Sequence, residues 1–126
     1  MATPFSLTAN QAVTVGPTTT LPFKQNLWDV LDVGNFDILD VEVGILALSG
    51  SSPTATIQIE TSAQNSQDDA SWIPLTGLTW TPTATGYSVK PQVGGFLRYI
   101  RYNLTTLTGG GSVTFVIRGM GRRYGA

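Results

Sequence analysis

Apolar and polar residues alternate with a period of two over four long segments, the spacing of strands with one buried face. In the first, Leu39, Val41, Val43 and Ile45 alternate with Asp40, Glu42 and Gly44. In the second, Ala55, Ile57, Ile59 and Thr61 alternate with Thr56, Gln58 and Glu60. The turn residues Ser49-Gly50-Ser51-Ser52-Pro53 lie between them, so the two are expected to pair as a hairpin with a loop of about five residues. In the third, Phe96, Ile100, Tyr102 and Leu104 share one face, and Tyr99, Arg101 and Asn103 share the other. After a Gly109-Gly110-Gly111 turn, Val113, Phe115 and Ile117 alternate with Thr114, Val116 and Arg118, which predicts a second hairpin.

The segments between these are weaker. Residues 63–70, with Asn65, Gln67, Asp68 and Asp69, read as an exposed loop. Ser71 to Leu75 reads as a short strand whose Pro74 points to a sheet edge. Thr79 to Val89 alternates weakly around Pro82 and Gly86. No segment has the i, i+3, i+4, i+7 spacing of a capped amphipathic helix. About eight short strands separated by turns predict an all-β fold, an antiparallel β-sandwich with a jelly-roll arrangement.

Residues 1–25 differ from the rest. Pro4, Pro17 and Pro22 punctuate a Thr-rich stretch whose one charge is Lys24. This segment is expected to be an extended arm, with residues 26–126 forming a single sandwich domain. Its apolar residues Phe5, Leu7, Val13, Val15, Leu21 and Phe23 need cover. That cover is either the domain's own sheet or a neighbouring molecule reached by strand addition.

Composition narrows the functional classes. At 126 residues and 13.4 kDa the chain has room for one domain. Its polar side is carried by 18 Thr and 9 Ser, and only 12% of residues are charged, against about 25% in an average globular domain. There is no Cys, which removes disulfides and thiolate metal sites, and no His, which removes the usual general base and the commonest metal ligand. A non-enzymatic protein without metal or cofactor is expected. The N-terminus lacks the basic and apolar regions of a secretory signal, and the longest apolar stretch is far short of the ~20 residues that span a bilayer. The expected product is therefore made in the cytosol and has no membrane partner.

Charge is segregated. All eight acids and Lys24 lie before residue 70; Lys90, Arg98, Arg101, Arg118, Arg122 and Arg123 follow with no acid. Neighbouring strands pairing across their polar faces would account for this, and so would an acidic face of one copy meeting a basic face of the next. Arg122 and Arg123, beside Tyr124, are a second candidate contact, facing Asp37 and Asp40 or a partner. With a net charge of −1 they are too few for a nucleic-acid surface.

Other constellations read as structure. Asp29, Asp32, Asp37 and Asp40 lack the spacing and the glycine of an EF-hand loop and suit a solvated strand face. Glu60 with Asp68 or Asp69 could stand at the separation of glycosidase carboxylates, a signal any β protein offers. Trp28, Trp72, Trp80 and Tyr87 could form a sugar-stacking platform or simply pack. Gly109-Gly110-Gly111 and Gly119-Met120-Gly121 lack the helix that follows a phosphate loop and are turns. The Asn103-Leu104-Thr105 sequon falls inside a predicted strand.

The order of Ile57-Gln58-Ile59-Glu60-Thr61-Ser62, Ser71-Trp72-Ile73-Pro74-Leu75, Phe96-Leu97-Arg98-Tyr99-Ile100-Arg101-Tyr102 and a last strand ending Gly119-Met120-Gly121-Arg122 resembles small structural proteins of tailed bacteriophage virions. Those proteins share a jelly-roll layout similar to discoidin-type and carbohydrate-binding modules. The resemblance spans residues 36–122. It implies a virion component, foremost a head decoration (cement) protein on the lattice of the major capsid protein, with a tail or head-tail connector role as the alternative. A glycan is the alternative partner, and the arm's need for cover leads to the expectation of a homo-oligomer, such as a trimer. No calcium loop of the sugar-binding relatives is present.

Overall fold

The structure, a computed structural model, describes residues 2–26 and 29–123. Ten strands follow in order: β1 (Ala2–Ser6), β2 (Val13–Val15), β3 (Phe23–Lys24), β4 (Leu31–Asp32), β5 (Ile38–Leu48), β6 (Thr54–Ser62), β7 (Ile73–Trp80), β8 (Gly86–Val93), β9 (Tyr99–Thr108) and β10 (Val113–Arg122). A 3-10 turn, Asp69–Ser71, precedes β7. Two antiparallel five-stranded sheets pack face to face. Sheet A runs β1-β10-β5-β8, with β2 also on β10; sheet B runs β3-β9-β6-β7, with β4 also on β9. The all-β sandwich expected from the alternation is the fold observed.

Its core is the set of inward positions of the four long strands. Leu39, Val41, Val43 and Ile45 of β5 and Val113, Phe115 and Ile117 of β10 face Ile57 and Ile59 of β6 and Ile100, Tyr102 and Leu104 of β9, all buried. Tyr102 meets Phe115 edge to face across the two sheets, with ring centroids 5.4 Å apart.

Neither predicted hairpin forms. β5 pairs with β10 and β8, and β6 pairs with β9 and β7, so each expected pair is split between the sheets. Alternation shows that two strands bury a face in the same core; it is equally satisfied by strands stacked across that core and by strands hydrogen-bonded side by side. The two turns arch from one sheet to the other and grip each other. The Ser51 N–H donates to the Gly109 carbonyl at 2.9 Å and the Ser49 N–H to that of Ser112 at 2.9 Å. Gly111 lies so close to Ser49 that a Cβ would strike its carbonyl oxygen. Pro74 does mark an edge, since β7 closes one side of sheet B.

The expected arm is corrected as well. Strands on both sides of residue 25 belong to the same two sheets. β1 pairs with β10 from Ala2↔Arg122 to Ser6↔Arg118, β2 pairs with β10 through Val13↔Phe115, and β3 pairs with β9. Between β1 and β2 the chain dips inward and buries Leu7, which is 2% exposed; Val15 is fully buried. Phe5, Val13, Leu21 and Phe23 pack partly buried against the same core. These residues gain more by completing their own sandwich than by waiting for a partner, each buried side chain contributing ~1.5–3 kcal/mol. Gln25 locks the segment down: its buried Nε2 donates to the Leu7 carbonyl at 2.7 Å, and its Oε1 accepts from the Tyr102 N–H at 3.0 Å.

Candidate assembly surface

Because β5 and β10 turn their β-branched residues inward, the residues between them stand on the outer face of sheet A. Register aligns these into rows. Ser6, Arg118, Glu42 and Val89 form one row across β1, β10, β5 and β8; Pro4, Met120 and Asp40 form the next; Val116, Gly44 and Tyr87 form a third. Tyr87 is 58% exposed, Val89 53%, Leu46 44% and Met120 38%, so four of the six large apolar side chains that the described residues expose belong to this sheet. Single exposed apolar residues are ordinary; a contiguous group on one face is the mark of a contact surface.

The face is shaped as well as apolar. Tyr87 lies across Gly44, where a Cβ would run into its ring, and the Arg118 guanidinium stands 5.4 Å from that ring. Arg118 Nε donates to Glu42 Oε1 at 2.6 Å, which ties β10 to β5 through side chains directly opposite each other. Beside this pair lies a shallow groove of about 370 Å³, walled by Pro4, Phe5, Val89 and Met120. The strand β8 forms the sheet's edge, and its residues are exposed or at most half-buried along its full length.

Of the residues expected to make contacts, Phe5 alone among the six apolar ones borders this groove. Leu7 and Val15 are core, and Val13, Leu21 and Phe23 pack on the core elsewhere. Arg122 is held by its own sheet, its guanidinium 3.0 Å from Asp40 Oδ1. Arg123 is exposed, and Tyr124 lies outside the described residues. The split of charge along the chain is resolved within the molecule. Early acids meet late cations as Asp32–Arg98, Asp40–Arg122, Glu42–Arg118, Glu60–Arg101 and Asp69–Arg101. Asp32 sits below the usual carboxylate range because the Gly34 N–H and then Arg98 hydrogen-bond to it.

The outer face of sheet B carries a different kind of cluster. Arg101 is buried, donates through Nε to Glu60 Oε1 at 2.8 Å, and lies 4.5 Å from the Trp72 ring. Asp69 of the overlying loop joins both Lys24 and Arg101, and Lys24 first, then Arg101, hold its carboxyl below the usual range. Glu60 and Asp69 are thereby spent on fastening loop 63–72 to the sheet. The tryptophans and Tyr87 make no common platform. Trp72 packs under that loop with its indole N–H on the Ser66 carbonyl at 2.9 Å, Trp80 is buried, Tyr87 is on the other sheet's outer face, and Trp28 lies outside the described residues. Among the described residues, no three carboxylates gather at metal-binding spacing.

With this geometry in view, comparison finds a similar solved structure. The backbone resembles the crystal structure of the SPBc2 prophage-derived protein YomS, with a TM-score of 0.50 and 18% identity, over 95% of this chain and 93% of that one. At that identity the likeness is one of fold. No family model matches the chain, and no curated protein matches it in sequence.

The signal that could have located the surface was present. Val116, Met120, Tyr87 and Val89 are apolar at positions whose neighbours already fill the core, so they break the polar side of the alternation. Recognising them as one patch needed the β10-β5-β8 order, which alternation does not give.

Proposed function

We propose that the chain is a non-enzymatic structural protein of a phage virion, a head decoration subunit that docks on the lattice of the major capsid protein through the outer face of sheet A. The observation that carries this reading is the exposed apolar face itself: Val89 and Met120 border a groove, Tyr87 is exposed on the same sheet, and Arg118–Glu42 braces them. Most of the cations are committed to internal pairs, so the adhesive property left to the surface is apolar. Two further features support it. The fold matches that of a prophage-derived protein along nearly the whole of both chains. The strand orders β1/β2-β10-β5-β8 and β3/β4-β9-β6-β7, with successive long strands crossing between sheets, support reading the sandwich as a jelly roll, an arrangement common in viral shells.

A decoration subunit needs stability and a contact face, and no chemistry. Sister copies meeting around a symmetry axis of the lattice would extend the same surface at the free edge of β8. Mass spectrometry of purified particles, with copies counted against the major capsid protein, tests the reading. Abundant copies in proportion to the capsid protein are expected. A single ring's worth would transfer the protein to a head-tail connector, and absence from particles would overturn the virion role.

A further inference from the structure

Among the long strands of the described residues, β8 alone has no buried side chain. The edge of the other sheet, β7, sends Leu75, Leu78 and Trp80 into the core. β8 is held by its ladder to β5, and no strand of the described residues pairs on its other side.

Register identifies the groups left on that side. In an antiparallel ladder the N–H and C=O of one residue point to the same neighbour, and successive residues point to opposite neighbours. The Ile117 carbonyl accepts from the Leu7 N–H at 2.9 Å, so Ile117 turns toward β1 and away from β5. Val43, opposite Ile117, therefore turns toward β8, where it exchanges bonds with Ser88. Gly86 and Lys90 share the orientation of Ser88, facing Ile45 and Val41. Tyr87 and Val89 then point their backbone groups out of the free edge. Pro91 has the same outward parity, where a missing N–H costs the ladder nothing.

We propose that this edge is a two-fold contact between copies of the chain, β8 running antiparallel to β8 of a second copy with Ser88 on the axis. Tyr87 stands opposite Val89 of the second copy, each donating its N–H to the other's carbonyl, and symmetry repeats the exchange. A shift of two residues loses the match. It sets Tyr87 against Pro91, which has no N–H, or Val89 against Thr85, outside the strand. In the matched register an aromatic ring meets a β-branched residue, a favourable cross-strand pair, and Lys90 faces Gly86 rather than another lysine. Lys90, Pro91 and Gln92, the last at a φ of +56°, guard the edge beyond residue 89 as charges, prolines and bulges do on natural sheets. A two-fold contact uses the unguarded stretch of both copies and leaves no end for further addition. The pairing rests on the sister contact named for the assembled shell, yet its test needs no particle, so either can fail without the other.

Sedimentation of the full chain from about 10 µM to about 1 mM tests this, since a short strand contact makes a weak dimer. The mass should rise from 13.4 kDa toward twice that value. Over the same range the Tyr87 and Val89 amides should gain protection from hydrogen exchange, while Ser88 is protected throughout. Val89→Pro removes an N–H that β8 does not use in its own ladder, and should weaken the dimer about ten-fold or more, since two hydrogen bonds are lost. Tyr87→Lys sets charges beside the axis without altering the backbone and should weaken it likewise; unchanged thermal melting will verify the folding of both. A mass of 13.4 kDa at every concentration would overturn the proposal. So would a dimer that both variants leave intact, or one in which Tyr87 and Val89 exchange as freely as in the monomer.

Discussion

Arg101 and Glu60 stand directly opposite each other on β9 and β6, and the guanidinium Nε donates to Glu60 Oε1 at 2.8 Å in a site where both side chains are almost fully covered. Asn103 Nδ2 reaches the other carboxylate oxygen at 3.3 Å, and the Trp72 ring covers the guanidinium plane. Removing one member of such a pair strands the other charge out of water. Arg101→Ala should cost about 3–5 kcal/mol, read as a lower denaturation midpoint. Arg101→Lys should recover only part, because an ammonium lacks the planar fork that both bonds Glu60 and stacks on Trp72. Arg101→Met with Glu60→Leu should lie closer to the parent than Arg101→Ala does.

Acid should release loop 63–72 through Asp69. Its carboxyl is depressed in the folded protein, so the stability it contributes is present above the ordinary carboxylate value of about 4 and is lost as pH falls through its lower folded value. The Trp72 indole N–H resonance reports the docking, since that group donates to the Ser66 carbonyl. It should shift at a pH below the ordinary carboxylate range, and Asp69→Asn should remove the step.

The N-terminal segment should prove indispensable for folding. Leu7→Ala is expected to cost about 2–5 kcal/mol, because Leu7 is 2% exposed in the middle of the core. Deleting residues 2–15 strips β1 and β2 from β10 and should leave a chain without a cooperative unfolding transition in calorimetry.

Gly44→Ala probes the shape of the surface without touching the core. The added methyl meets the exposed Tyr87 ring and the Val116 Cγ2 methyl, both of which must give, so stability should fall by about 1 kcal/mol. Particle binding should fall if the Tyr87 ring is part of the docking surface. A binding assay on Gly44→Ala beside Tyr87→Ala will show whether the two lose affinity together.

The strands, their inward faces and the sandwich class were legible because a period of two is imposed locally, by the pleat, on every half-buried strand. The partners of those strands were not. Ile57 can satisfy its alternation against Phe115 across the core or against Val43 beside it, and only the three-dimensional packing separates the two. The same ambiguity hid the role of Leu7 and Val15, whose apolar character announced a need for cover but not its source. The charge split was legible as composition, and its resolution into Glu42–Arg118 and Glu60–Arg101 had to await the order of the strands. The proposed docking face suffered most, since Met120, Val89 and Tyr87 become neighbours only through the β10-β5-β8 order.

The outer face of sheet A is the proposed surface by which the protein joins a particle. The most direct measurement replaces the gene with one encoding Val89→Lys and Met120→Lys, both exposed positions, and counts copies in purified particles by mass spectrometry. The parent protein should be abundant in particles, and the variant, soluble and folded by circular dichroism, should be depleted more than about ten-fold, since a buried lysine charge opposes docking. Equal incorporation of the two proteins would contradict the account.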